Sequence, residues 1–194
     1  GIDPRADALQ RAQFTLVPWL DGAQLCYEQA RQGKISEQLW IDCLVPSLID
    51  PSLAAPGRHV MTCFVQFLPY RFSDSSWSVE RDRLQSQLLH QIGAFVPAVN
   101  HSLIASRLYT PLDLESVFGI TEGNIFHGDL RPDQLFFMRP VPAYARYATP
   151  LRALYLCGAG THPGGGVTGA PGYNAAHRIL DDLRRDRDLR MNGG

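Results

Sequence analysis

Seven glycines follow Cys157 at positions 158, 160, 164, 165, 166, 169 and 172, within the segment LYLCGAGTHPGGGVTGAPGYNAA. Ordering a glycine costs of order 0.5–1 kcal/mol relative to alanine in regular structure, so this density asks for a physical reason. Close approach of backbone to a ligand is one. Without Cβ atoms in the way, successive N–H groups near a helix start can point at an anionic or electron-rich group. The helix dipole adds about half a positive charge at that end. Gly158 and Gly160 open as G-x-G, but the later glycines depart from G-x-G-x-x-G and no G-x-x-x-x-G-K-[ST] is present, which argues against a phosphate-cradling loop. A flavin fits better, because its N1 and O2 edge gains negative charge on reduction. The plain alternative is a glycine-rich surface turn with no ligand.

Side chains with acid–base chemistry are few around this loop. His162, between Thr161 and Pro163, is the best candidate for tuning a bound group or handling a proton; the competing role is a ring that only hydrogen-bonds the loop. His127 is a weaker candidate for the substrate side. His59, His90, His101 and His177 show no metal-ligand spacing, and no metal site is expected. FHGDLRPDQ at 126–134 imitates the catalytic loop of kinase-like phosphotransferases, with Asp129 as base and Gln134 where a metal-binding Asn would stand. No D-F-G follows it, no glycine-rich loop precedes it, and the only lysine is Lys34, so nothing would hold ATP. A turn shaped by Gly128 and Pro132 and capped by Asp129 is the simpler reading.

The string GAGTHPGGGVTGAPGYNAA resembles the C-terminal signature of phytoene dehydrogenase-like and carotenoid-isomerase-like flavoproteins, including those called pyridine nucleotide-disulfide oxidoreductase domain-containing. PSLIDPSLAAPGRHVMTCFVQFLPY at 46–70, TPLDLESVFGITEGNIFHGDL at 110–130 and DQLFFMRPVP at 133–142 are similar to the same group, so the likeness covers residues 35–185. It implies FAD as cofactor and a small apolar substrate that loses hydride to the flavin or is isomerised beside it. It places Gly158 and Ala159 beside the ribityl chain and Gly165, Gly166, Val167 and Thr168 against the isoalloxazine, mainly through backbone. Wider relatives carry an acidic residue where Ala159 stands, a departure that removes a side-chain contact. The G-x-G-x-x-G half that grips the nucleotide in such flavoproteins is missing, which implies an N-terminal FAD-binding half on a separate or missing segment. The chain is therefore read as the C-terminal portion of an FAD-dependent oxidoreductase, inactive alone. The competing class is a non-enzymatic interaction or assembly module derived from one.

The elements that would position these residues follow from periodicity. Residues 5–32 carry helical spacing interrupted near Pro18, which predicts two short helices. Leu39–Val45 and Val60–Leu68 predict a strand pair with a long Pro- and Ser-rich connection. In the second strand Met61, Cys63, Val65 and Phe67 make an apolar face; Thr62, Phe64 and Gln66 lie on a mixed one, either ordinary sheet surface or pocket wall. Trp77–Val96 spaces Leu84, Leu88, Ile92 and Phe95 as an amphipathic helix on that sheet. Val99–Tyr109 predicts a third strand, with Leu103, Ala105 and Arg107 on one face. Thr110 as N-cap with Pro111 behind it opens a short helix. Residues 119–150 are rich in turns, Leu154–Cys157 reads as a short buried strand, and Ala170–Leu189 as a long helix with Tyr173, Ala176, Leu180 and Leu183 inward.

Composition sets the outer bounds. With 194 residues, 45% of them hydrophobic, a chain of this size buries roughly 70% of its unfolded surface and makes a real core. A net charge of -1 supplies no basic field for nucleic acid. Cys26, Cys43, Cys63 and Cys157 are scattered in apolar company with no C-x-x-C, the pattern of reduced, buried thiols in a cytoplasmic protein. No apolar run reaches a membrane span and no signal-peptide pattern opens the chain. The expectation is an α+β fold: a mostly antiparallel sheet with covering helices, plus the last strand and helix of an FAD-binding domain. Its parts are a helical segment at 1–38, a substrate-domain-like region at 39–150, and the strand, glycine loop and helix at 151–194. An oligomer is compatible with all of this.

Overall fold

The computed structural model of the chain describes residues 12–192. Contacts divide it into two units, Gly1–Val117 and Phe118–Gly194. In the first, QFTL alternates polar with apolar and forms a strand, β1 (Gln13–Leu16), where a helix is predicted. Period two prevails because Phe14 and Leu16 then share the core-facing side of a sheet, and Phe14 stacks on Phe95 at 5.2 Å. The part of the predicted helix before residue 12 lies outside the described residues. Past Pro18, helix α1 (Leu20–Arg31) forms as expected, and Cys26 on its buried side donates its S–H to the Gln38 carbonyl at 3.0 Å.

Strands β2 (Trp40–Leu44) and β3 (Thr62–Gln66) pair antiparallel as predicted, and β1 completes a three-stranded sheet in the order β1-β2-β3. The connection between β2 and β3 contains two 3-10 turns, Pro46–Leu48 and Pro51–Leu53, the second capped by Asp50 through the Ser52 N–H. Alternation then sorts the faces. Ile41 and Cys43 with Met61, Cys63 and Val65 point at helix α2 (Trp77–Phe95), which returns Trp77, Leu84, Leu88 and Ile92. The opposite face carries exposed Thr62 and Phe64 and a polar ladder in which Asp42 accepts from Thr15 at 2.7 Å and Gln66 at 2.6 Å. Phe67 leaves the predicted face: its φ is 59°, and its ring meets Trp40 and Tyr27 edge-on.

The strand predicted at Val99–Tyr109 does not form. Val99–Ser102 is instead one helical turn, α3, tied back by the Asn100 side-chain N–H to the Gly93 carbonyl near the end of α2. That bond serves one of the carbonyls a helix end leaves open. Residues 103–109 run on without strand structure, with Leu103 and Ile104 exposed. Helix α4 (Pro111–Phe118) starts where its cap predicts. Thr110 Oγ1 accepts the Asp113 N–H, and the Thr110 N–H donates to the Asp113 carboxylate, a reciprocal capping arrangement with Asp in the place of Glu.

The second unit is built of turns on one helix. Short 3-10 turns at Thr121–Gly123, Pro132–Gln134, Phe136–Met138 and Pro142–Tyr144 lead to helix α5 (Ala170–Asn192). The predicted strand at Leu154–Cys157 reduces to one antiparallel bridge, Ala148 with Tyr155, and Cys157 is exposed rather than buried. The inward face of α5 also differs from its apolar stripe. Pro171 and Ala175 are buried, while Tyr173, Leu180 and Leu183 face outward. Polar anchors decide this orientation: Asn174 donates to the Tyr147 hydroxyl at 2.8 Å, and the Tyr155 hydroxyl donates to Asp182 at 3.0 Å. An apolar stripe is outvoted where few apolar partners exist to receive it.

Candidate functional site

The glycine loop owes its shape to a few closures. Thr161, buried, donates both its backbone N–H and its hydroxyl to the Gly158 carbonyl, at 3.0 and 2.8 Å. The Gly164 N–H then donates to the Thr161 carbonyl at 2.7 Å. Gly164 itself is buried at φ 101°, where a Cβ would lie 3.0 Å from Leu130. Only glycine takes that backbone without strain. A Cβ on Gly165 would stand 2.9 Å from the Phe126 ring and 3.9 Å from the Ala159 methyl group, so Ala159, Gly165 and the 126–129 turn are brought together. On the other side the loop is open: a Cβ at Gly158 or Gly160 would meet nothing within 4 Å, and Val167 is fully exposed. Thr168 accepts the Ala170 N–H through its hydroxyl at 3.2 Å and so caps the start of α5.

His162 meets Phe136 and Tyr147. Its ring lies 5.7 Å from the Phe136 ring, and its carbonyl accepts the Tyr147 hydroxyl at 2.9 Å. Together with Phe136, Tyr147, Asn174, His177 and Arg178 it lines a cavity of about 560 Å³ beside α5. At the edge of this cavity, Arg178 holds Asp182 below the usual carboxylate range through a 2.9 Å hydrogen bond. The loop ring and the glycine edge thus form two separate features of the second unit. His127 is exposed at φ 54° and contributes its carbonyl to the structure.

One residue escaped the sequence reading. Arg139 is 2% exposed and its guanidinium makes five hydrogen bonds, all to main-chain carbonyls. Nε and Nη2 reach Ala159 at 3.1 and 2.9 Å; Nη1 reaches Asp129 at 3.2 Å; Nη2 also reaches Phe126 at 2.7 Å and His127 at 3.3 Å. The signal was present in FFMRPVP: an arginine bracketed by apolar residues has to find acceptors inside. The same bonds explain the kinase-like string. Asp129 lends its carbonyl to Arg139, and Gln134 ends a separate 3-10 turn. Among the described residues no group of three His, Cys, Asp or Glu side chains is placed to hold a metal ion.

No protein-family profile matches the chain. Individual proteins do. The chain is 43% identical over 160 residues to pyridine nucleotide-disulfide oxidoreductase domain-containing protein 2 of Mus musculus, covering 81% of this chain and 28% of that protein. These matches support an FAD-oxidoreductase-like family. Similarity extends at 32% identity over 138 residues to a limonene dehydrogenase polypeptide of Castellaniella defragrans, covering 69% of this chain and 24% of that polypeptide. At 29% identity over 163 residues it reaches a lycopene-forming phytoene desaturase of Paracoccus, covering 82% of this chain and 32% of that enzyme. The chain spans less than a third of the length of these oxidoreductase relatives. Among the described residues no helix is long and apolar enough to cross a membrane.

Proposed function

We propose that this chain supplies one wall of a flavin site in an FAD-dependent oxidoreductase that dehydrogenates, desaturates or isomerises a small apolar substrate. The observation that carries the reading is the open edge of the glycine loop, where a Cβ on Gly158 or Gly160 would meet nothing within 4 Å. A flat, electron-rich ring fits against backbone of that kind because N–H groups reach it without an intervening Cβ. Gly158 and Ala159 would lie along the ribityl chain, and Gly165, Gly166, Val167 and Thr168 would face the ring. When bound, the flavin supplies the two-electron chemistry. This chain's residues hold the edge in place: Thr161 locks Gly158, and Thr168 caps the helix whose positive end faces the loop. Phytoene desaturase and limonene dehydrogenase, both named for apolar hydrocarbons, favour an apolar substrate.

The test is spectroscopic. The protein, alone and joined with the nucleotide-binding portion of a relative, is titrated into FAD while flavin fluorescence is followed. Quenching with a structured visible band in the joined form supports the reading. Unquenched fluorescence at high protein concentration in both forms overturns it and leaves an assembly module.

A further inference from the structure

We propose that Arg139 is the positioning residue of the glycine loop, the side chain that turns the Gly160 N–H toward the open edge. The inference rests on the flavin reading only for the identity of the ligand. Its own basis is geometric. A buried guanidinium needs acceptors, and here main-chain carbonyls from two separate segments bond all three of its nitrogens, Ala159 on one side and Phe126, His127 and Asp129 on the other. In a trans peptide the C=O and N–H point in opposite directions. Holding the Ala159 carbonyl inward by two bonds, at 3.1 and 2.9 Å, therefore directs the Gly160 N–H away from Arg139. The place where a Cβ on Gly164 would stand is 3.9 Å from Arg139 Nε, so the guanidinium lies directly beneath the loop. A lysine would bring charge to the same place but not the planar fork that grips both segments at once.

The experiment uses the chain joined with the nucleotide-binding portion of a relative, carrying Arg139→Lys, Arg139→Met or, as a control on an exposed residue of the same unit, Arg131→Met. Two quantities are read: amide hydrogen exchange across 126–129 and 158–166 without FAD, and FAD affinity with the position of the flavin visible band. Arg139→Met is expected to speed exchange in both segments together by at least tenfold, to leave β2 and α2 unchanged, to weaken FAD binding at least tenfold and to shift the band. Arg139→Lys should recover part of each loss, and Arg131→Met should stay within twofold of the parent. Unchanged exchange in either segment overturns the clamp; loosened segments with FAD affinity and band within twofold of the parent overturn its positioning role. Should Arg139→Met fail to fold, Arg139→Lys decides by the same criteria, and failure of both assigns Arg139 to folding and overturns the proposal. If the parent itself binds no FAD, the flavin reading has failed, and the exchange data alone judge the clamp.

Discussion

Cys43 and Cys63 sit directly opposite each other on β2 and β3 with their sulfurs 3.8 Å apart. The hydrogen bond they share separates them chemically. The shared bond lowers Cys63, which is half-buried, whereas the same bond and burial raise Cys43. Since the thiolate is the nucleophile, Cys63 should alkylate with iodoacetamide at pH 8 well before Cys43, and exposed Cys157 before buried Cys26. Peptide mass spectrometry over a time course gives the order, and equal rates at Cys43 and Cys63 would contradict it. Of the four thiols expected to be buried, Cys26 and Cys43 are, and Cys63 is half-buried. Cys157 is exposed because Leu154–Cys157, though it has the composition of a buried strand, finds a single bridging partner among the described residues, Ala148.

Helix α2 and the start of α4 were the most legible elements, and each makes a prediction. Leu84 is fully buried between the sheet and the helix, in the cluster with Ile41 and Trp77. Leu84→Ala should destabilise the protein by about 2–5 kcal/mol in a denaturant titration, through lost burial and the cavity left behind. At α4 the Arg81 guanidinium, bonded to both Asp113 oxygens at 2.9 and 2.8 Å, holds that carboxyl down to about 2 with help from Thr110. A carboxylate whose folded value is depressed adds stability above its unfolded value, about 3.9, and loses it as pH falls toward the folded one. Asp113→Asn should therefore lower stability by about 1–2 kcal/mol at pH 7. The gap between variant and parent should narrow between pH 4 and about 2; a gap independent of pH would remove the ion pair from the account. Thr110 and Pro111 announced this helix because capping is local chemistry. The strand predicted at Val99–Tyr109 failed because pairing is not local: its β-like composition gained no partner strand, and Asn100 had a carbonyl of α2 to bind.

The two units are stabilised in different ways, which determines how the candidate site should behave. The first has a continuous apolar cluster running from Leu39, Ile41 and Cys43 to Trp77, Leu84, Leu88 and Ile92. In the second, the buried apolar side chains among the described residues are Tyr147, Pro171 and Ala175, and the fold is carried by Arg139, Thr161 and the Tyr147–Asn174 bond. Hydrogen-bonded turns with little apolar burial open at low free energy, whereas core strands and helices open only with global unfolding. The glycine loop could be located from composition alone; of its inner scaffold only Arg139, set among apolar residues, left a signal, because the main-chain carbonyls it grips carry no sequence signature. Amide exchange on the unliganded chain should then be slowest in β2 and α2 and faster by at least tenfold across 118–169. Saturation with FAD, in the form that binds it, should slow residues 158–169 selectively, because a ligand that binds only the closed loop stabilises that loop by mass action. Uniform protection of both units on adding FAD would place the flavin's hold elsewhere in the molecule.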